Sequence, residues 1–585
     1  MKKFWKYLLL VLLISLPAFV FADTSRTYLV SDQLWQDIDL LCRVTGVIGP
    51  SSASPVPEPE LIRAYSRIDS KKLDGVFIEI YERAGESLYG KDYNLTAADF
   101  GMEFLAEAGL EAYLYSGDIY RQEFFVSYKD MEKPVKLGFE ADYSRYANLF
   151  LEYGIGNTIT QVDTSAESIR RGYNFVNHTN LDCLFWLGPW GEWSFLGFSD
   201  SEGKLTPSIQ EFEPERVGGS FGNEHVNFTI ARSRQSMGHG VTGNFLLGDN
   251  FPYQDMMQLK LMSGVLSYTL SYTHYDTQTG PYDYYDGSSR AFRKFSLNTD
   301  EHNIMVIHRF DLKLGERFRL VFNEGGIFCM DNALDPRLLI PGIFVHSYNN
   351  KSDETVISGT DEANNIMSFE VEWTPAASWL LTAQVVIDQF RLPGETDGVP
   401  DAWGVLLNCF WTKSAYHGYF DSWAEAVYTS PYLYLNEKYN DEDKSDPNYN
   451  YDYIVGYWLG KASEIGYAGY TWGPDSIVLN VGSKYTHPEL FAFSASFLYR
   501  IHGERGINYG YNSNQKDTLN GWVSALTPTG TPEHYVQLKF GGEKYLPHNF
   551  TLSAQLAFQV WANYGNDEGE TKFSVQSVLG ARWTF

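Results

Sequence analysis

Ser233, Ser236 and His239 stand close together in Ala231-Arg-Ser-Arg-Gln-Ser-Met-Gly-His-Gly240, the segment of the chain that most invites a search for hydrolytic chemistry. A serine nucleophile needs a base within hydrogen-bond reach and a third group to orient that base. Residues three apart on a strand point to opposite faces, so this spacing does not supply the pair. No Gly-x-Ser-x-Gly, His-Glu-x-x-His or Walker sequence occurs. The residues therefore predict no catalytic role and no enzyme. In the same segment Arg232 and Arg234 share one strand face and could line a barrel lumen, where arginines bind anions or brace carboxylates of the wall. The acidic run Asn436–Asp452 lacks the fixed ligand spacing of a calcium loop. Cys42, Cys183, Cys329 and Cys409 lie far apart with no metal-like spacing. Neither a metal nor a cofactor is predicted.

The elements that must carry such residues are strands. At the end of the sequence, Lys572-Phe-Ser-Val-Gln-Ser-Val-Leu-Gly-Ala-Arg-Trp-Thr-Phe585 alternates Phe573, Val575, Leu579, Trp583 and Phe585 against Ser574, Gln576, Gly580 and Thr584. A period of two gives one apolar and one small or polar face, as expected of a closing barrel strand whose outward residues meet lipid. The terminal phenylalanine also looks like the usual assembly signal of outer-membrane barrels. Segments of the same period are Lys136–Ser144, His225–Ala231, Gln258–Thr273, Phe318–Val321, Ser368–Trp373, Leu380–Ile387, Ile477–Val481, Ala492–Tyr499, His534–Phe540 and Thr551–Val560. At roughly 26 residues per strand and connection, residues 111–585 predict about 18 antiparallel strands, an all-β transmembrane barrel. A pair of sandwiches or a propeller is the soluble alternative.

Composition agrees with the barrel. Aromatics reach 16%, with 41 Tyr, 38 Phe and 15 Trp, while mean hydropathy is −0.29. After the N-terminus no apolar run approaches the length of a spanning helix. Residues 1–22 read as a secretory signal: a lysine-bearing head, the apolar run Tyr7–Leu16 and a small-residue exit at Ala22. The formal charge of −28 argues against nucleic acid as a partner.

Residues 23–110 read differently, as a small periplasmic helical region. Ser31 is a plausible N-cap for a helix carrying Leu34, Ile38 and Leu41 on one stripe. Pro59 seats a second helix reaching Ile68, and Leu73–Arg83 and Thr96–Glu107 read as two more. Two insertions, 274–287 and 436–452, mix tyrosines with acids and amides and look like long extracellular loops. Rings that cover a pyranose face beside groups that bond its hydroxyls would suit sugar binding, and soluble loops have the same composition.

The helical stretch with its Pro50–Pro59 connector, followed by Ile230-Ala-Arg-Ser-Arg-Gln-Ser-Met-Gly-His-Gly240 and Phe245-Leu-Leu-Gly-Asp-Asn-Phe-Pro252, resembles the capsule-assembly Wzi family of outer-membrane proteins. Gln384-Val-Val-Ile-Asp-Gln-Phe390 and Gly469-Tyr-Thr-Trp-Gly-Pro-Asp475 look like later segments of that family. The chain departs from it at Met237, where the family often has tryptophan, and in the 436–452 insertion. The resemblance implies a closed 18-stranded barrel over a periplasmic helical bundle in the outer membrane. It also implies a non-catalytic, lectin-like role holding capsular or related polysaccharide, with outer-membrane lipids as the other partner and a monomer as the working unit. Arg232, Arg234, Asp249, Asn250, Asp388, Trp472 and Asp475 are the candidate carbohydrate-binding residues. For Asp249, Asn250 and the glycines beside them a turn-forming role is the plainer alternative, and for Trp472 a place in the interface girdle. A porin or substrate-specific channel built on the same barrel is the competing function.

Overall fold

The computed structural model describes residues 25–116, 125–155, 216–275, 302–340, 363–390, 401–435, 454–506 and 526–585, apart from isolated positions, and short strand pairs between them. The expected signal at 1–22, the insertion at 436–452 and Cys183 lie outside the described residues.

Eighteen antiparallel strands close into one barrel. In chain order they are β1 (Phe100–Ser116), β2 (Val135–Tyr143), β3 (Ala147–Ile155), β4 (Arg216–Gly222), β5 (Val226–Ser233) and β6 (Gln254–Met262). Then come β7 (Leu266–Tyr275), β8 (His302–Lys313), β9 (Phe318–Met330), β10 (Ala363–Trp373), β11 (Trp379–Gln389) and β12 (Ala402–Ala415). The set ends with β13 (Gly418–Thr429), β14 (Ser476–His487), β15 (Phe491–His502), β16 (Glu533–Leu546), β17 (Phe550–Ala562) and β18 (Thr571–Thr584). Each strand pairs with its neighbour in sequence, and β18 returns to β1 in the register Leu579↔Ala112 and Thr584↔Glu107. Closure leaves the sheet without a free edge, so each strand pairs with a neighbour on either side.

The period-two reading of β18 matches its burial. Phe573, Leu579 and Phe585 point outward and are 55, 50 and 62% exposed, while Ser574, Gln576 and Val578 face the interior and are buried. Val575 lies on the outward face, partly covered, and Trp583 is exposed.

One strand reading and one helix reading needed correction. Gln258–Thr273 is not one segment but β6 and β7, broken by a turn in which Ser263 Oγ accepts from the Leu266 N–H at 2.9 Å. Thr96–Glu107, expected to be helical, lies in a short strand, Leu95–Ala97, and in β1. Its Ala, Leu and Glu residues favour helix on their own, but Phe104, Leu110 and Leu114 alternate along β1 as exposed residues, and pairing with β2 from Phe100, joined by β18 from Glu107, outweighs propensity. The first barrel strand therefore starts at Phe100, ahead of the expected boundary at 110/111.

Before the barrel, the described residues form three helices, α1 (Gln33–Thr45), α2 (Glu58–Tyr65) and α3 (Val76–Tyr89). Leu34, Ile38 and Leu41 are buried as expected. The residue at the N-cap of α1 is Asp32, not Ser31, and Gly46 ends the helix at φ 77°, its N–H returning to the Arg43 carbonyl. Glu58 and Glu60 occupy the first turn of α2, where the helix dipole favours acids, with Pro59 beside them. The helices pack on one another through Ile38, Leu41, Leu61, Ile80 and Ala84.

Candidate functional site at the filled lumen and its outer rim

The helices sit at the barrel end that carries the short turns. The Ile48 N–H donates to the Glu316 carbonyl at 2.7 Å, Ser378 N–H to the Arg43 carbonyl at 2.8 Å, and Arg63 to the Glu224 carbonyl. From there the connector Gly49–Pro57 rises into the lumen, where it is buried throughout. Its carbonyls have no sheet ladder of their own beyond two residues at each pairing, so side chains of the wall must satisfy them. Arg319 of β9 donates to the carbonyls of Gly49 (2.7 Å) and Pro50 (3.0 Å) and pairs with Glu372 at 2.7 Å. Arg309 of β8 reaches Ser52 Oγ at 3.2 Å while paired with Asp311 and Glu370, both at 3.0 Å. Lys260 of β6 donates to the Ala53 carbonyl at 2.5 Å. Helix α1 is tied to the wall at β13 by Arg43 on Asp421 at 2.5 Å, and the start of the described chain to β2 by Arg26 on Asp142 at 2.8 Å. Burial opposes the charge on Arg26, but Glu140 and Asp142 outweigh it and hold its pKa above the ordinary arginine range.

From the other end, the loop between β5 and β6 folds inward onto this connector. Ser236 and Met237 pair with Ser54 and Ala53, and the Gly238 N–H donates to the Ser52 carbonyl at 3.3 Å. The Val241 N–H donates to Glu425 at 2.6 Å, the Thr242 N–H to the same carboxylate, and Gln384 holds Asn244 Oδ1 at 2.8 Å. Gly238 adopts φ 127°, and a Cβ there would overlap Gln384 and Asn244; one on Gly240 would overlap the Gly243 carbonyl. Here backbone and wall approach too closely for a side chain. His239, the one imidazole near Ser233 and Ser236, points to Glu372 (Nε2 to Oε1 3.4 Å) and packs against Trp35 of α1. Burial pulls its pKa down, but Glu372 outweighs burial and raises it. That ring braces the plug.

A third segment closes over the second. Tyr434 Oη donates to the Phe245 carbonyl at 2.6 Å and accepts from the Tyr470 N–H at 2.9 Å, and the Gly248 N–H donates to Ala468. Phe245, Leu246, Leu247 and Phe251 form with Tyr434, Tyr470, Trp561 and Tyr564 a buried apolar mass across the outer half of the lumen. Three stretches of chain thus occupy the space that a channel would leave to water.

The candidate sugar residues go to three places. Asp388 and Asp475 are buried anchors. Asp388 accepts from the Tyr434 N–H at 2.8 Å, and Asp475 from the N–H groups of Thr529 (3.1 Å) and Arg505 (3.2 Å). Burial raises the Asp475 pKa, with the Thr529 hydroxyl acting against it. Arg232, expected to share a lumen-lining face with Arg234, is on the outer face of β5 with Ile230. Lumen positions there are Thr229, Ala231 and Ser233, and Arg232 pairs outside with Asp255 at 2.7 Å over the ring of Tyr253. The alternation of the strand carried it outward.

The others form one continuous strip at the outer rim. Arg234 pairs with Asp249, which Lys129 also approaches at 3.5 Å, and Asp130 lies 3.6 Å from Arg234. Burial would raise the Asp249 pKa, but Lys129 and Arg234 hold it below the usual carboxylate range. Next to it, Asn250 donates to the carbonyls of Tyr467 (2.8 Å) and Gly469 (2.7 Å) and accepts from Thr471 Oγ1 at 2.7 Å. Trp472 follows, half-buried, edge-on to Tyr470 and under the guanidinium of Arg500 at 5.6 Å. Arg500 is paired with Glu533 at 2.6 Å and also covers Tyr535. Arg500, Lys129 and Asp130 were not singled out from the sequence, because nothing local distinguishes them from other wall or loop charges. Among the described residues no group of three or more His, Cys, Asp or Glu side chains converges as a metal site.

No protein-family model matches the sequence, and no curated protein matches it. Among solved structures the fold is similar to that of Wzi, an outer-membrane protein involved in group 1 capsule assembly in Escherichia coli and a carbohydrate-binding β-barrel. Identity is 10%, coverage 95% of this chain and 98% of that one, and the TM-score 0.52. OpdL of Pseudomonas aeruginosa matches at 8% identity over 84% of this chain and 99% of its own, TM-score 0.38. The outer-membrane channel DcaP of Acinetobacter baumannii matches at 9% over 85% and 100%, TM-score 0.32. The protein is an outer-membrane β-barrel. Its architecture is the one that the resemblance to the Wzi family implied.

Proposed function

We propose that this barrel is a non-catalytic, lectin-like protein that holds capsular or related polysaccharide at the cell surface and helps to assemble or retain it. The observation that carries the reading is the rim strip Arg234–Asp249–Asn250–Thr471–Trp472–Arg500, placed over a lumen filled by the chain itself. A half-buried indole flanked by amide, hydroxyl and charged groups has the two parts that sugar recognition needs: a flat apolar face and directional bonds to hydroxyls. Within that reading Asp388, Asp475 and Arg232 support the fold, and contact with the glycan falls to the strip.

Retention of the purified full-length protein on capsule from its own strain tests the reading. Trp472→Ala should weaken retention severalfold with stability changed by no more than about 1 kcal/mol, and unaltered retention by the wild type and the variant would place the sugar elsewhere. Planar-bilayer recordings separate the porin alternative: a filled lumen passes little current, and large steady single-channel steps would sink the binding-protein reading.

A further inference from the structure

Outward positions of the wall such as Phe104, Leu407, Phe493, Leu552 and Leu579 are apolar and exposed, yet one sector is buried and carries polar side chains. On β7, β8 and β9 the residues that meet the lumen contents are odd-numbered, among them Ile307, Arg309 and Asn323. The even-numbered Tyr268, Tyr272, His308 and Glu324 therefore face outward. All four are buried. His308 and Glu324 are direct partners across β8 and β9. They lie five residues above Lys313 and six above Phe318, counted from the short turn. On β17, Phe558 and Val560 stand eight and ten residues above Phe550 and are still exposed apolar side chains, so the polar patch is within the height of the apolar belt.

What covers the patch is the segment after β9. A 3-10 turn at Pro336–Leu339 lies against the outside of the wall, with Leu338 buried among Tyr268, Leu270, Tyr272, Ile304, Val306 and Phe328. Tyr268 Oη and His308 Nδ1 are 2.7 Å apart, His308 Nε2 donates to the Leu338 carbonyl at 2.9 Å, and Tyr272 Oη donates to the Ala333 carbonyl. These bonds match what hydrocarbon demands, since polar atoms there must find partners within the protein. Leu334 and Ile340 turn away from the wall, 46 and 47% exposed, and Arg337 is neutralised by Asp335.

We propose that residues 333–340 form a membrane-embedded clasp. This segment leaves the long-loop end, folds back down the barrel exterior and presents Leu334 and Ile340 to the acyl chains of the outer leaflet, sealing the Tyr268–His308–Glu324 patch from them. The β9–β10 connection then belongs to the lipid-contacting surface, and this part of it is withheld from the medium.

Bimane attached at Leu334→Cys or Ile340→Cys reads this directly, in full-length protein with Cys42, Cys183, Cys329 and Cys409 changed to alanine and reconstituted in phosphatidylcholine vesicles. Nitroxide on the lipid acyl chains should quench both positions severalfold more than iodide does. Adding Leu338→Asp, which leaves the strands untouched, should release the segment and reverse that preference while the barrel keeps its heat-modifiable mobility on gels. Iodide quenching that dominates before the release mutation would overturn the clasp. So would protection from both quenchers together with cross-linking between two copies at Leu334, which would make the occupant of this face a second barrel.

Discussion

The two halves of the lumen are filled by different physics. On the short-turn side, the connector Gly49–Pro57 offers bare polar groups: Arg319 and Lys260 meet its carbonyls and Arg309 the Ser52 hydroxyl with charge-assisted hydrogen bonds, the two arginines being paired to Glu372 and to Asp311 and Glu370. On the outer side, the loop between β5 and β6 is packed through Phe245, Leu246, Leu247 and Phe251, with glycines where the backbone runs closest to the wall. Buried charges are costly to strand and cheap to keep only when fully bonded, whereas an apolar plug depends on shape. The first half should therefore fail by losing one charge and the second by gaining one methyl group.

The largest effect is expected from Arg319→Met. It leaves Glu372 buried without its guanidinium and frees two connector carbonyls, and should cost about 3–5 kcal/mol, read as a lower denaturation midpoint and as protease cleavage between residues 25 and 90. Gly240→Ala should cost about 1–3 kcal/mol through overpacking and expose residues 234–253 to protease with the helices still protected. If both variants open both halves together, the lumen contents behave as one unit and the contrast is lost. Smaller again is a pH dependence from His239, which joins the two halves through Glu372 and Trp35. Its pKa is raised in the folded protein, so its contribution is complete below its ordinary value of 6.5 and is lost as pH climbs through the raised value. Loop protection measured against pH should fall over that window in the wild type and stay flat in His239→Gln.

How much of this could be read from residues alone depends on what each residue answers to. The alternation in β18 was legible because a strand's two faces are set by neighbours two apart, and so were Leu34, Ile38 and Leu41 of α1, set by neighbours three and four apart. Thr96–Glu107 misled because helix-favouring residues were bound by β2 from Phe100 onward and by β18 from Glu107 onward. Arg232 and Arg234 were expected on one lumen-lining face; the strand ends between them at Ser233, after which Arg234 belongs to a loop that turns toward Asp249 while Arg232 stays outside. Asp388 and Asp475 were reasonable candidates by type, but a carboxylate that accepts backbone N–H groups of a distant loop gives no local sign of it.

From the sequence by itself came the class of the fold, an alternating barrel with a helical region ahead of it, because periodicity and composition are local properties of the chain. The tertiary structure alone decided that the helical connector, the β5–β6 loop and the segments around Tyr434 and Ala468–Tyr470 meet inside the barrel, and that residues 333–340 lie against its outside. Those outcomes depend on contacts between residues tens to hundreds of positions apart, where loop closure and burial set the result and sequence spacing carries no signal.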